Sequence, residues 1–163
     1  MHADDRSRPL QAESRLQHAL DLSFRYLGRR DRTALEVRKQ LQRSDVETSV
    51  ADQAITELER LGFLDDARYA QRFAEDRRAL DGWGTERIER RLLEVGVPAE
   101  LVAAELGCRA NSDELKAAVD VLRRRMATPP SDDRERERAL GFLARRGYSL
   151  DLAYDAVRSF ERG

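Results

Sequence analysis

Cysteine is almost missing from this chain. Cys108 stands alone, which excludes an intrachain disulfide and a cysteine-ligated metal cluster. Histidine is nearly as scarce: His2 lies in a polar terminus and His18 on a helical pattern. A Ser-His-Asp triad or a histidine metal site would need one of these two. The nine glycines are scattered, and neither a Walker-type loop nor a dinucleotide-binding glycine fingerprint occurs. No apolar run approaches the ~18 residues of a membrane helix. Met1 to Arg8 is polar and no apolar signal region follows it. The expectation is a soluble, cytoplasmic protein with no cofactor, no catalytic residues and no membrane contact. Net charge is small as well, at -1. That excludes both a polybasic tail and a uniformly acidic mimic of nucleic acid.

What the chain does contain is charge of both signs, arranged in bands. Of 163 residues, 40% are hydrophobic and 37% charged, against a usual charged share of roughly 25%. Residues 25–43 carry seven basic and two acidic groups, and residues 44–67 carry one and seven. Residues 68–91 carry seven and five, 92–120 two and six, and 121–147 eight and four. The sign alternates along the chain, as it would if a unit with one basic and one acidic helix recurred. Lys39 and Lys116 are the only lysines, so the basic groups are nearly all arginine. Arginine forks suit carboxylate and phosphate alike.

Apolar spacing is helical throughout, and no useful strand alternation occurs. Leu16, Ala19, Leu20, Phe24 and Leu27 mark a first helix. Thr33 with Glu36 predicts a capping box before a second. A third runs from Glu47 to Leu61 and stops at Gly62. Shifting the second and third helices by 51 positions superposes six apolar columns, each in three copies. They are Val37/Ile88/Ala139, Leu41/Leu92/Leu143, Val46/Val97/Tyr148, Val50/Leu101/Leu152, Ala51/Val102/Ala153 and Ile55/Leu106/Val157. First helices align better at 49, Leu20 on Tyr69 and Phe24 on Phe73, which predicts a connector that grows by two residues per copy. The pattern therefore predicts an all-α protein, an elongated array of three tandem three-helix repeats and a monomer. Residues 1–12 form a disordered leader in this reading. Repeat 1 spans 13–62, repeat 2 spans 63–107 and repeat 3 spans 108–163.

Two motifs stand out between the repeats. Leu64-Asp65-Asp66 joins the first to the second, with Asp65 as a helix cap and Asp66 favouring that helix's dipole. Gly82-Trp83-Gly84 reads as a flexible hinge around the only tryptophan, which either packs between repeats or meets a partner. One basic column, Lys39 and Arg90, recurs at the 51 shift and fails in the third copy.

The motifs Arg30-Asp31-Arg32-Thr33, Glu36-Val37-Arg38-Lys39-Gln40-Leu41, Gly62-Phe63-Leu64-Asp65-Asp66-Ala67-Arg68-Tyr69, Gly82-Trp83-Gly84 and Phe142-Leu143-Ala144-Arg145-Arg146-Gly147-Tyr148 occur in this order. Together they resemble the bacterial RecX regulatory family, from about residue 14 to 161, except that residues 107–130 show little likeness. The resemblance implies a non-enzymatic modulator that lies in the groove of the RecA–DNA filament. It implies inhibition of RecA ATPase, strand exchange and co-protease activity, and so an effect on recombinational repair and the SOS response. The same residues also leave a direct nucleic-acid binder open, because each unit passes for a helix-turn-helix module. The balanced charge argues for DNA contact that is weak or indirect. Candidate partner-facing residues are Lys39, Trp83, Arg87, Arg90, Arg145 and Arg146.

Overall fold

The computed structural model describes residues 7–163, and among them the chain is helical with no strand. The helices are α1 Ser7–Leu27, α2 Ala34–Arg43, α3 Thr48–Arg60, α4 Asp66–Asp81, α5 Thr85–Glu94, α6 Ala99–Gly107, α7 Asn111–Arg125, α8 Asp133–Arg146 and α9 Leu150–Arg162. They fall into three successive triples. Residues 7–12, expected in a leader, are instead the first turns of α1. Pro9 fits a first turn because the N–H it lacks would have no intrahelical acceptor there. Gln11, Ala12 and Glu13 are good helix formers that carry the helix back from Ser14. Residues 1–6 of the expected leader lie outside the described residues.

Three of the six apolar columns are buried in every copy. Leu41, Leu92 and Leu143 are fully enclosed, as are Val37 and Ile88 with Ala139 close behind. Ala51, Val102 and Ala153 complete the set. Val50, Leu101 and Leu152 are half-buried throughout, on the shoulders of their helices.

The first helices depart from expectation. In α1 and α4 the fully buried residues are small, Ala19 and Ser23 in the one and Ala70 and Ala74 in the other, while Leu16, Leu20 and Leu27 pack partly buried beside them. These pairs are offset by 51, as in the other helices, and the next buried pair, Ala118 and Leu122, follows 48 further on. The connector therefore does not grow steadily. Large residues misled the alignment because Phe24 is 37% exposed and Phe73 only half-buried. Short side chains let helix backbones approach, and Ser23 satisfies its hydroxyl on the Ala19 carbonyl at 2.8 Å.

Two compact units result. Among the described residues, the first is residues 7–69 with Val95–Val97, and the second is residues 70–94 with 98–163. In the first, α1, α2 and α3 enclose Ala19, Val37, Leu41, Ala51, Ala54, Ile55, Leu58 and Leu64. In the second, α7, α8 and α9 enclose a larger cluster around Leu122, Leu143, Tyr148, Val157 and Phe160.

Candidate partner-binding surface

One junction geometry occurs twice, once in each unit. In the first unit Thr33 caps α2 and forms a complete capping box with Glu36. Its hydroxyl also donates to the Val95 carbonyl at 2.5 Å. In the second unit the Gly84 N–H donates to the Arg146 carbonyl at 2.8 Å, and the Glu86 N–H to the Gly147 carbonyl at 3.0 Å. Both partners lie 51 positions further on than in the first case. Within the first unit the start of α2 thus docks on Val95–Val97, and within the second the start of α5 docks on the end of α8. Gly96 and Gly147 occupy the docked ends with φ of 87° and 89°.

Acidic side chains complete each dock. Asp66 Oδ1 accepts from the Ala34 N–H at 3.0 Å, and Glu114 Oε1 from the Thr85 N–H at 2.8 Å. Both acids sit in the first turn of a following first helix. Asp66 was expected to serve its own helix. It does stand in the first turn of α4, and its carboxylate also caps α2, while Asp65 caps α4 through the Arg68 N–H at 2.9 Å. Leu64 is buried in the first core beside them.

Burial raises the Asp66 pKa above the ordinary aspartate value, the Ala34 N–H opposes this, and nearby Asp65 and Glu36 add to it. The folded state therefore holds this proton to higher pH than the unfolded chain. Stability from this group falls as pH rises from the ordinary aspartate range through the raised value. Asp66→Asn keeps the acceptor and loses the charge. It should flatten that part of the pH profile and be no less stable than wild type at neutral pH. Asp66→Ala, which removes the acceptor, should cost about 1 kcal/mol. Urea denaturation between acidic and neutral pH checks both, and a wild-type pH slope in Asp66→Asn would refute the assignment.

Gly82-Trp83-Gly84 is not a flexible hinge. Gly82 and Gly84 are buried, and the Gly82 carbonyl accepts from the Tyr148 hydroxyl at 3.2 Å. A Cβ on Gly84 would lie 2.4 Å from the Gly147 carbonyl oxygen. The turn is locked because backbone meets backbone there, and only glycine leaves room. Trp83 is half-buried. Its ring sits edge-on to Phe73 at 6.1 Å, with the Arg87 guanidinium 4.1 Å and that of Arg77 5.7 Å from its centre.

The six candidate partner-facing residues separate accordingly. Lys39 is exposed on α2 in the first unit, and the other five belong to the second. Arg90 and Arg145 are exposed. Arg87 and Arg146 are not free surface groups. Arg87 covers Trp83 and donates to the Arg145 carbonyl at 3.1 Å. Arg146 donates to the Asp81 carbonyl and stacks on Phe142 at 5.0 Å. Sequence spacing could place these arginines on helices but could not tell a clamp from a contact. The acidic caps also went unread, although an acid in the first turn of each following helix was visible.

Three copies of one three-helix design, with the same cap-and-dock contact inside each compact unit, define a helical-repeat protein. Its three triples match in turn the sequence models described as the first, second and third three-helix domains of RecX, over residues 19–58, 65–106 and 112–157. A regulatory protein RecX of Trichlorobacter lovleyi is 37% identical over 134 residues, which cover 80% of this chain and 87% of the relative. One from Deinococcus radiodurans is 30% identical, with 93% of this chain and 72% of the relative covered. The crystal structure of RecX from Lactobacillus salivarius has the same fold, with a TM-score of 0.83 at 16% identity over 93% of this chain and 99% of that one. The chain belongs to the RecX family of regulatory proteins.

Proposed function

We propose that this protein binds the RecA–DNA filament in the cytoplasm and restrains it by occupancy rather than by chemistry. It would lower RecA ATPase, strand exchange and co-protease activity, and so temper recombinational repair and the SOS response. The observation that carries this reading is the match of all three repeats, in order, to RecX domains. Balanced charge supports a protein partner with weak or indirect DNA contact: a net charge of -1 gives little counterion-driven affinity for a polyanion.

Lys39 and Arg90 are the probes that the fold allows, because both are exposed. Reversing Arg87 would break the Trp83 clamp and confuse stability with binding. Lys39→Glu with Arg90→Glu should leave the melting temperature near wild type. It should weaken co-sedimentation with RecA–single-stranded-DNA filaments, and inhibition of RecA ATPase, by about tenfold, the effect of losing ~1.4 kcal/mol of binding. Absence of wild-type protein from the filament pellet would overturn the proposed function. Undiminished inhibition by the folded double variant would overturn the role of these two residues alone.

A further inference from the structure

The arginines of repeat 3 that line two small clefts carry an inference of their own. One cleft, of about 240 Å³, is lined by Leu80, Asp81, Arg124, Arg125, Phe142 and Arg146 among others. The second, of about 270 Å³, is lined by Arg125, Met126, Arg138, Ala139, Phe142 and Arg145. They share Arg125 and Phe142, so they adjoin one another beside the end of α7 and the second half of α8. All of these residues lie in the second unit.

Among the described residues, none of Arg124, Arg125, Arg138, Arg145 and Arg146 takes part in a salt bridge. Their neighbours do: Arg123 pairs with Asp120 at 3.7 Å, and Arg136 pairs with Asp133 at 3.0 Å and Glu161 at 2.5 Å. The nearby Glu135 is committed to the backbone and hydroxyl of Ser131 at 2.8 and 2.9 Å. The acids nearby are Asp81, which lines the first cleft but is held by Arg77 at 2.6 Å, and Glu135, which faces Arg138; five like charges with so few acids cost stability by mutual repulsion. An external anion removes that cost.

We propose that this double cleft binds an acidic peptide segment that carries an apolar side chain. Carboxylates match the guanidinium forks. The apolar element matches Leu80, which is 75% exposed, and the half-buried Met126. Nucleic acid fits less well for two reasons. Phe142 is half-buried and already lies beside two guanidiniums, at 6.0 and 5.0 Å, so it is a poor platform for an unstacked base. The other end of α8 carries Asp132, Asp133, Glu135 and Glu137, which would repel a polyanion running along the helix. A short acidic stretch avoids them. This inference rests on the arginine arrangement and does not depend on RecA as partner.

The test is fluorescence anisotropy with the full chain and three labelled probes: a peptide of Glu-Glu-Leu repeats, its Gln-Gln-Leu counterpart and oligothymidylate. The acidic peptide should bind, weakening as salt rises, and the glutamine peptide should not. Arg138→Glu with Arg145→Glu should lower affinity at least tenfold. Both residues are exposed, and among the described residues neither side chain makes a hydrogen bond or salt bridge, although Arg138 lies close enough to act on the charge of Glu135. Lys116→Glu with Arg158→Glu makes the same charge change away from the cleft linings and should bind as wild type. Should the glutamate pair melt early, Arg138→Ala with Arg145→Ala gives the same comparison without new charge. Absence of acidic-peptide binding, equal loss in the control pair, or oligothymidylate binding that is tighter and fails in the cleft variant would each overturn the proposal.

Discussion

Gly147→Ala is expected to cost the second unit roughly 2–5 kcal/mol. The estimate has two parts. A residue with a Cβ pays about 1–2 kcal/mol to hold left-handed backbone, and Gly147 has φ of 89°. Overpacking adds about 1–3 kcal/mol, because the new Cβ would lie 2.3 Å from Arg87 Cβ and 2.5 Å from its backbone nitrogen. Backbone cannot swing aside as a flexible side chain can. The dock of α5 on the end of α8 would open, taking with it the Gly84 and Glu86 hydrogen bonds. Chemical denaturation followed by circular dichroism measures the loss. Trp83 fluorescence should change in the same transition, since Arg87 lies over the indole. Gly107→Ala is the internal control: nothing lies within 4 Å of its added Cβ, and its backbone is helical. A Gly147→Ala variant as stable as Gly107→Ala would mean that the dock does not hold the unit together.

Leu143→Ala should cost about 2–5 kcal/mol, the usual range for emptying a buried leucine site. Leu143 is fully enclosed within the cluster that α7, α8 and α9 build. Leu92→Ala in the same column belongs in the same range, because Leu92 is equally enclosed. Leu93→Ala, one residue on and 45% exposed, should lose far less. Melting of the three variants side by side checks the column. Similar values for Leu92 and Leu93 would show that the 51-residue repeat does not mark the core.

Much of this architecture was legible before the structure, for a physical reason. Second and third helices bury leucine, isoleucine and valine, whose spacing is visible against a charged background. First helices bury Ala19, Ser23, Ala70 and Ala74, which hydropathy barely distinguishes from exposed residues. That is why the offset for those helices was misread as 49. Capping by Thr33 and Asp65 was readable because both act within a few residues of themselves. Asp66 acts on Ala34, 32 positions away, and no local pattern announces that. The arginines failed in a related way. Arg87 and Arg145 look alike in sequence. Only the fold sets the Arg87 guanidinium over Trp83 and leaves the Arg145 side chain on a cleft wall.

The three residues Val95–Val97 belong to the first unit, although they are made long after the rest of it. Synthesis runs from the N-terminus, so α1, α2 and α3 leave the ribosome before the acceptor of the Thr33 hydroxyl does. Asp66 arrives first and caps Ala34. Val95 arrives 29 residues later and takes up the Thr33 hydroxyl, while Gly96 seats against Leu35. The first unit thus closes in two stages, and the second waits for most of repeat 2. A chain stopped anywhere between Asp66 and Val95 would carry a helical core with its second helix sealed on one side only.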